Sequence, residues 1–585
     1  MQLIARSTAL FIMLLLVTGG AAHAAQPSDA LRNLQRQQEQ IILQQQERLR
    51  MQEREFRDSG KEPSSSLQPG LFPRVEGKAD EPCMEVRRIH VSGATLLSSS
   101  ALASLISPYQ GRCLSLADIN NLLRDITNAY IERGYVTARA FVDPADNSPG
   151  ALQVLVIEGV VEKIIINDGD KNSYYRGKTA FPFLEGKPLN LRDIEQGLDQ
   201  LNRLPSADAS MELEPGSTLG GTVIRVRNAT VRSWRAGAGF DNYGQRSTGQ
   251  GMYSLSLEKD NAMGIGDQFA VYWSQDMPAW DEDVRSRDRQ GSNSSLSAFF
   301  SLPFGYWTFS GSLSRSRYST YIDGMNTRYT ASGVTDTANV RAERVIHRDA
   351  DGKTSFFAGL THRNVDNYIE GVRLVLSSYN LTTMELGFSH NRRLLGGIVG
   401  ASAAYSRGLH AFGATKSEDG SHFTPQSQFD KYSLMVTYYR PFALKEQHMY
   451  WNMSAYGQFS DRTLYGPERI QIGGRSSVRG FHEDSIAGDK GFYVRNELGW
   501  NLPWFDEWRS TGPVNGIQLY GAYDFGLLHP DSFDRYERGR MQGLAVGLRT
   551  LGDLSFEASA AKAIDHPAFV KTRDMEFYIS ARYTF

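Results

Sequence analysis

The stretch PERIQIGGRSSVRGFHEDSIAGDKGFYVRNELGWN, from Pro467 to Asn501, decides the fold. It is rich in glycine and charge, and it lies between segments whose apolar residues alternate as in barrel strands. Its centre is Val478-Arg479-Gly480-Phe481. A polar insertion of this length in a β-rich region is usually either functional or disordered. Two interpretations remain open: a surface loop, or a loop that folds into a barrel lumen and places Arg479 against an acidic partner.

The region 229–585 alternates between apolar and polar residues and is interrupted by turn signals. At about 22 residues per strand and turn, it predicts a membrane β-barrel of about 16 antiparallel strands, an even number as bacterial membrane barrels have. A soluble β-sandwich would also alternate, but it does not explain an apolar face that continues to the last residue. That face, on the last predicted strand, consists of Met575, Phe577, Ile579, Ala581, Tyr583 and Phe585.

Residues 1–24 predict a secretory signal peptide. Arg6 supplies the positive charge, residues 10–17 form the apolar core, and Ala22-His23-Ala24 fits the cleavage pattern. A signal anchor is the alternative, although the apolar run is short for a membrane-spanning helix. The formal net charge of −2 indicates no nucleic-acid-binding surface. Since no other stretch is apolar enough to span as a helix, we expect a membrane protein of this sequence to be a barrel.

A polar helix is predicted for residues 25–58, because its sequence from residue 28 onward contains strong helix formers and neither glycine nor proline. Its apolar positions form no continuous stripe, which predicts a helix surrounded by polar groups or water. A short coiled coil is the alternative. Residues 59–80, with several prolines and a run of serines, predict a flexible linker.

Two similar α+β units are predicted at 81–160 and 161–228, each with the element order β-α-α-β-β. In the first unit, Ser115 is placed to cap the second helix together with Asp118, three residues later. The only two cysteines, Cys83 and Cys113, also lie in this unit. Export would bring them into an oxidising compartment, so we expect a disulfide, with two buried free thiols as the alternative.

Several of these motifs resemble those of the two-partner secretion transporters, the TpsB family, within the superfamily of the outer-membrane barrel assembly protein. Val478-Arg479-Gly480-Phe481 fits the motif of the family's inner loop. A second motif, an aspartate two residues before a glycine on a late strand, fits Asp524 and Gly526, although the aromatic residue common two positions earlier is Ala522 here. Further matches are Ile472-Gly473-Gly474, Arg495-Asn496-Glu497-Leu498, and, in units that resemble POTRA domains, Gly134-Tyr135 and the LNRLP of 201–205.

The resemblance implies that Arg479 pairs with Asp524 on the inner barrel wall and so fixes an inner loop, near 467–495, inside the pore. Glu497 is implied as an additional acceptor. An arginine suits such a pairing because its planar guanidinium meets a carboxylate at two points. The alternative is an Arg479 that merely lines the lumen. The resemblance also implies that the polar helix plugs the pore and that Phe585 ends the strand recognised by the barrel assembly machinery.

The function implied by the resemblance is protein transport across the outer membrane of a Gram-negative bacterium. The POTRA domains would capture one large unfolded exoprotein in the periplasm, an adhesin, a haemolysin or a contact-dependent toxin. The barrel, monomeric and surrounded by outer-membrane lipid, would pass this client to the surface without ATP or any cofactor. An insertase for other barrels is the alternative, and a barrel enzyme or solute porin is a third class. No catalytic motif is expected, since Gly237, Gly239 and Asn242 resemble a dinucleotide fingerprint only outside its strand-to-helix setting.

Overall fold

The computed structural model describes residues 29–58, 70–77, 81–143, 150–167, 171–277, 291–323, 327–417, 424–482, 484–502, 512–530 and 538–585. The predicted signal peptide and most of the predicted linker, at 59–69 and 78–80, lie outside the described residues. The first element is one long helix, α1 (Asp29–Asp58), as the sequence predicts. Within the described ranges, no helix combines the length and the apolarity needed to cross a membrane.

The first unit contains two short strands beyond the predicted order. Its elements are β1 (Cys83–Val86), β2 (Arg88–Ser92), α2 (Ser99–Ile106), β3 (Arg112–Ser115), α3 (Leu116–Glu132), β4 (Arg139–Val142) and β5 (Ala151–Ile157). The main sheet has the order β2-β5-β4, while β1 and β3 pair separately. Strands of four residues are too short to produce a recognisable alternation, so the sequence does not reveal β1 and β3.

The predicted cap and disulfide of the first unit are both confirmed. The Ser115 hydroxyl accepts a hydrogen bond from the Asp118 backbone, and the Asp118 carboxylate accepts one from the Ser115 backbone, which forms a capping box at the start of α3. Cys83 and Cys113 are bonded, with 5.4 Å between their Cα atoms. The disulfide therefore joins β1 to β3 directly before the capped helix.

The second unit repeats this arrangement without a disulfide. Its elements are β6 (Val160–Ile166), α4 (Lys171–Ala180), α5 (Leu191–Asn202), β7 (Ala207–Pro215) and β8 (Gly221–Thr230), and its sheet has the order β6-β8-β7. Ile194, Leu198 and Leu201 on one face of α5 are buried in the core, as their helical spacing predicts. The sequence does not reveal β7.

Sixteen antiparallel strands close into a barrel, which confirms the predicted class. They are β9 (Trp234–Asp241), β10 (Met252–Asp260), β11 (Gln268–Asp276), β12 (Ser292–Phe304), β13 (Trp307–Asp323), β14 (Arg328–Arg348), β15 (Gly352–Ile369) with its two-residue extension β16 (Val372–Arg373), β17 (Tyr379–Leu394), β18 (Gly397–Gly408), β19 (Asp430–Leu444), β20 (Gln447–Phe459), β23 (Gly491–Asn501), β24 (Gly516–Leu528), β25 (Gly539–Leu551), β26 (Leu554–Asp565) and β27 (Glu576–Thr584). The seam between the first and last strands is short: β27 pairs with β9 only over Ser580–Thr584, whereas β13 and β14 pair over all of Trp307–Asp323.

The second unit abuts one end of the barrel. The Gly305 backbone N–H, in the β12–β13 turn, donates to the Thr179 carbonyl at 2.7 Å, and the Arg203 guanidinium donates to the Gly266 carbonyl in the β10–β11 turn at 2.6 Å. Because antiparallel connections alternate between the two ends, the β20–β23 connection starts at the opposite end. We define this connection, residues 460–490, as the inner loop.

The inner loop folds back into the lumen, where β21 (Ile470–Ile472) pairs with β22 (Ile486–Gly488). It ends earlier than predicted, because the chain from Gly491 onward already belongs to the barrel strand β23. The predicted end lies near 495 because glycine and charge continue into that strand. Because the loop lies inside the lumen, the surface-loop interpretation is excluded.

Helix α1 occupies the remaining lumen. The Gln45 amide donates to Asn293 on β12 at 2.9 Å, and Glu53 accepts a hydrogen bond of 2.6 Å from Ser312 on β13. Arg50 donates to the carbonyl of Pro467 in the inner loop at 3.3 Å. The helix thus contacts the wall on one side and the inner loop on the other, which explains why it lacks a single apolar stripe.

Candidate functional site

The inner loop presents its central motif at the end of a tight hairpin. The Gly473 backbone N–H donates to the Ser477 hydroxyl at 2.9 Å, and the Gly474 N–H donates to the Val478 carbonyl at 3.0 Å. Both glycines have positive φ, which other residues rarely adopt. An apolar cluster then holds the loop against strands β24 and β25; among its members are Ile472, Val478, Phe481, Leu528 and Met541.

At the centre of the site, Arg479 and Asp524 form a buried pair. The Arg479 Nε atom donates to Asp524 Oδ2 at 2.6 Å, and Nη2 donates to Oδ1 at 2.8 Å, so the contact is bidentate. The Arg479 backbone N–H also donates to Oδ2 at 3.1 Å. Asp524 is 0% exposed and Arg479 4% exposed. A buried charge is costly unless it is paired, and here each charge neutralises the other.

The structure brings Glu497 into the same cluster. Its Oε2 atom accepts a hydrogen bond of 3.1 Å from Arg479 Nη1, while Oε1 accepts one of 3.0 Å from the Tyr450 hydroxyl. A second arginine, Arg549 on β25, also donates to Oε1. Two arginines and two carboxylates therefore form one hydrogen-bonded cluster where the inner loop meets the wall.

Three glycines allow the loop backbone to approach the wall closely. A Cβ atom on Gly543 would lie 1.8 Å from the Arg479 carbonyl oxygen, and one on Gly526 would lie 2.4 Å from the Ile472 side chain. Gly480 has φ +99°, and a Cβ there would lie 2.6 Å from the Ala563 backbone nitrogen. The glycines of both motifs therefore have a steric role beside the charged pair.

A second buried ion cluster holds the start of the inner loop. The Glu468 carboxylate accepts a hydrogen bond of 3.1 Å from Arg363 on β15 and another from Lys431 on β19. Its backbone carbonyl accepts a hydrogen bond of 2.8 Å from Gln458. Arg50 of α1 contacts the adjacent Pro467 carbonyl, so the plug helix reaches this cluster too.

Sequence reasoning missed the second cluster and Arg549. The position of Arg549 could have been predicted from the alternation of β25. Gly543, Ala545 and Gly547 lie on the inner face of this strand, and the same spacing places Arg549 there. Glu468, Arg363 and Lys431 come from three separate segments, and no local pattern relates them. Among the described residues, no group of three or more His, Cys, Asp or Glu is arranged to hold a metal ion.

The final predicted residue, Phe585, lies at the seam. Its backbone N–H donates to the Ala236 carbonyl at 2.9 Å, and the Ala236 N–H donates back to the Phe585 carbonyl at 3.0 Å. The Phe585 side chain is exposed on the outer side of the barrel, as are Phe577 and Tyr583 of the same strand. The last residue therefore pairs with β9 and contributes its ring to the apolar outer face.

Comparisons with known proteins give the same assignment along the chain. Residues 220–550 match the family described as haemolysin secretion/activation protein ShlB/FhaC/HecB. Residues 84–159 match the ShlB-type POTRA domain, and residues 160–215 match a POTRA domain. The chain is 34% identical to the outer membrane transporter CdiB of Dickeya dadantii, over 97% of each protein. It is 36% identical to the hemolysin transporter protein ShlB of Serratia marcescens, over 71% of this chain and 72% of that protein.

Solved structures agree with this assignment. CdiB from Escherichia coli superposes with a TM-score of 0.84 at 32% identity, covering 94% of this chain and 99% of that chain. CdiB from Acinetobacter baumannii superposes with a TM-score of 0.73 at 22% identity, covering 97% and 100%, and supports the fold.

A closed barrel of sixteen strands behind two POTRA domains, with a motif-bearing loop folded into its lumen, defines an outer-membrane protein transporter. The chain belongs to the ShlB/FhaC/HecB family, the TpsB transporters of two-partner secretion. Its barrel lies in the outer membrane and its POTRA domains, the first and second units, lie in the periplasm. The family is one of transporters rather than of enzymes.

Proposed function

We propose that this transporter captures one large unfolded exoprotein in the periplasm and threads it through its own barrel without ATP. The client is a haemolysin, an adhesin or a contact-dependent toxin, a range suggested by the hemolysin transporter among the relatives. The observation that carries the proposal is a closed barrel whose lumen is filled by two elements, α1 and the inner loop. Such a lumen is blocked at rest and opens when one of these elements moves.

Helix α1 is the element that moves most easily. Several of its contacts with the wall are single polar ones, between Gln45 and Asn293, between Glu53 and Ser312, and between Arg48 and Asp241. The neutral hydrogen bond of Gln45 contributes only about 0.5–1.5 kcal/mol, and one that involves a charged group about 1.5–3 kcal/mol. Ile41 and Ile42 add an apolar contact with Tyr318 and Val365 of the wall. Water or client groups can replace the polar partners, so an arriving client can displace the helix and expose a hydrophilic passage.

The inner loop, in contrast, is fixed by the buried pair of Arg479 with Asp524. We assign to this pair the role of holding the loop in the position that shapes the passage. Val478, Gly480 and Phe481 adapt the loop to the wall, and Glu497 orients Arg479 from the side.

Client capture is assigned to the exposed sheet edges of the POTRA domains. In the first unit β4 is an edge strand, and its residues Phe141 and Val142 are exposed. An edge strand offers free N–H and C=O groups to which an extended peptide can add as a further strand. Backbone pairing of this kind can bind a client that has not yet folded.

The remaining partners are those of an ordinary outer-membrane barrel. We propose that the protein is monomeric, because its sixteen strands close within one chain. Outer-membrane lipid surrounds the apolar outer face. The barrel assembly machinery recognises the last strand, with Phe585 at its end, during insertion.

The test is a comparison of a deletion strain with its complemented parent by mass spectrometry of both the culture medium and the outer membrane. We expect one large secreted protein to disappear from the medium while the outer-membrane proteins keep their levels. Loss of many outer-membrane barrels would instead indicate an insertase. An unchanged medium together with altered solute uptake would indicate a porin, and either result would overturn the proposal.

A further inference from the structure

Three consecutive residues of the second unit, Phe181, Pro182 and Phe183, lie in three different environments. Phe181 is buried in the core of the unit. Pro182 packs against the β12–β13 turn of the barrel so closely that a Cβ on Gly305 would lie 2.7 Å from its ring. Phe183 is 77% exposed. The chain therefore turns one aromatic ring outward directly beside the barrel rim.

The ring of Phe183 contacts the side of the barrel that faces lipid. Its centroid lies 6.3 Å from that of Phe304, the last residue of β12, in an edge-to-face arrangement. Along β12 the residues Phe299 and Ser301 are buried on the inner face, whereas Leu296 and Phe304 are exposed on the outer face. Phe183 thus continues the apolar outer surface of the barrel beyond its periplasmic end.

The backbone of Phe183 is held in an unusual conformation. Its φ angle is +59°, in the left-handed region that bulky residues rarely adopt. A glycine or an asparagine would adopt this conformation more readily. Residues in such conformations are often found at functional positions, where the surrounding structure imposes them. Here the imposed conformation is the one that directs the ring outward.

Helix α4, which contacts the barrel through Thr179, carries two more exposed aromatic residues. Tyr174 and Tyr175 are both exposed, and the Lys178 ammonium lies 5.7 Å from the Tyr174 ring. Thr179, one helical turn after Tyr175, donates to the Ile265 carbonyl in the β10–β11 turn at 2.7 Å. This hydrogen bond places Tyr175 within about one turn of the rim.

We propose that Phe183, Tyr174 and Tyr175 form an aromatic anchor by which the second unit enters the headgroup region of the periplasmic leaflet. Phospholipid is the partner, because aromatic rings with a polar edge or a neighbouring cation are suited to the boundary between acyl chains and water. Phe183 is continuous with the lipid-facing surface of β12 through its contact with Phe304, outside the barrel. A client bound for the lumen would have no reason to dock there.

The anchor restrains the second unit on one side of the barrel mouth. The membrane would then support the unit in addition to the barrel contacts that the unit already makes. In this arrangement the lumen entrance keeps a fixed orientation toward the first unit while a client passes.

Depth-dependent fluorescence quenching tests the anchor in the full chain. The variants Phe183→Cys and Tyr175→Cys receive a nitrobenzoxadiazole label, and both native cysteines are already bonded to each other. The labelled proteins are reconstituted in phosphatidylethanolamine and phosphatidylglycerol vesicles that carry spin-labelled lipid. Leu219→Cys is the control, because Leu219 is 86% exposed and lies before the first residue of β8, about 30 Å along that strand from its barrel end.

We expect quenching at positions 183 and 175 to be at least twofold stronger than at 219, and all three to be equal in detergent without spin-labelled lipid. Adding Phe183→Asn, which tolerates the left-handed backbone, to the Tyr175→Cys variant should lower quenching at 175 toward the value at 219. Equal quenching at all three positions in vesicles would overturn the proposal. A second result would also overturn the proposal: the Phe183→Asn protein loses binding of its secreted client while quenching at 175 stays unchanged. The aromatic surface would then bind the client rather than lipid.

Discussion

The carboxylate of Asp524 accepts three hydrogen bonds from one residue, two from the guanidinium of Arg479 and one from its backbone. A lysine can supply the charge, but it lacks the planar guanidinium whose two N–H groups donate to both carboxylate oxygens. Removing one partner of a buried ion pair typically costs about 3–5 kcal/mol, because the other charge is left unpaired. The pair therefore specifies where the loop tip sits more than it adds to the stability of the barrel.

Replacing Arg479 tests this role. In Arg479→Ala we expect a folded, inserted barrel that exports about tenfold less client. A misplaced loop has this effect if it raises the free energy of the export-competent state by about 1.4 kcal/mol. Arg479→Lys should restore little. Export is measured by immunoblotting the medium, and insertion by heat-modified mobility of the outer-membrane fraction.

The matched control is Arg315→Ala. Arg315 forms a bidentate pair with Asp336 between two barrel strands, but that pair is exposed. Exposed pairs contribute about 0–1 kcal/mol, so export should remain normal. Normal export by Arg479→Ala would remove the assigned role.

Glu158, which follows β5 of the first POTRA domain, provides a pH-dependent test. Burial raises its pKa, but hydrogen bonds from Thr95, Tyr130 and the Leu96 backbone outweigh this effect and hold the pKa of the carboxyl below its usual value. A carboxyl with a lowered pKa in the folded state stabilises the fold above its unfolded pKa, near 4.3, and loses that effect as pH falls further.

We therefore expect Glu158→Gln to lower the unfolding temperature of the periplasmic region at pH 7. The difference from the parent should shrink below about pH 4, where the parent carboxyl becomes protonated. Circular dichroism of the full chain in detergent, recorded over pH, measures both. Glu85→Gln, at an exposed pair with Arg87, is the control and should change little at either pH. A pH-independent difference would contradict the assigned hydrogen bonds.

Individual strands and helices show what the sequence could and could not predict. The alternation of β27 predicts its outer face, because Phe577 and Tyr583 face lipid while Glu576 and Tyr578 are buried inside. Strand β7 was missed even though it spans Ala207–Pro215, since its half-buried side chains mix alanine, serine and glutamate. Helix α1 was predicted as polar, but its burial of Ile41, Ile42 and Leu43 follows only from being surrounded by the lumen.

The candidate site divides in the same way. Arg479, Asp524 and Glu497 were predicted through motif resemblance, and the structure brings them together. Glu468 meets Arg363, 105 residues away, and Lys431, 37 residues away. No periodic pattern links such distant positions, because their proximity depends on how barrel strands are arranged around an infolded loop.

The disulfide between β1 and β3 should stabilise the first POTRA domain. On the loop-entropy model, a bridge over a sequence separation of 30 contributes about 3–4 kcal/mol. The double variant Cys83→Ser, Cys113→Ser should therefore unfold at lower denaturant concentration in that region, while the barrel is unaffected. Limited proteolysis in urea, followed by mass spectrometry, locates the change. The parent treated with reductant is the control and should behave like the variant.

A cross-link tests whether α1 leaves the lumen during export. In the double variant Gln45→Cys, Asn293→Cys, a reducible bis-methanethiosulfonate cross-linker would take the place of the two side chains whose ends form a hydrogen bond of 2.9 Å between helix and wall. If the helix must leave, export should stop after cross-linking and return on reduction. The control, Arg315→Cys with Asp336→Cys, joins two directly paired barrel strands and should export in both conditions. Export through the cross-linked plug variant would show that the client passes beside the helix.

The POTRA domains and the barrel are joined by a charged interface. Arg348, at the end of β14, donates to Asp199 at 2.6 Å and to Glu195 at 3.3 Å, both on α5. The Tyr306 hydroxyl donates to Asp193 in the first turn of α5. These contacts hold α5 of the second unit against the β12–β13 turn and the end of β14, at the periplasmic end of the barrel.

Loosening this interface should let the second unit move relative to the barrel. In Arg348→Ala, two acidic side chains lose a nearly buried partner. Spin labels at Leu219→Cys and Lys445→Cys, in the unit and in a periplasmic turn, should give a broader distance distribution than in the parent. Arg227→Ala, which removes an exposed pair within the unit, is the control and should leave the distribution unchanged. Identical distributions in all three proteins would show that other contacts suffice.

The short seam between β9 and β27 has a consequence for biogenesis. Its hydrogen-bonding partners, such as Asn242 and Ile579, lie 337 residues apart, so the first strand has no neighbour on one side until the chain is complete. Ring closure therefore needs both ends of the barrel sequence, and until it occurs the sheet has two unpaired edges. Unpaired edges are templates for aggregation, so the open sheet must be shielded until its ends meet.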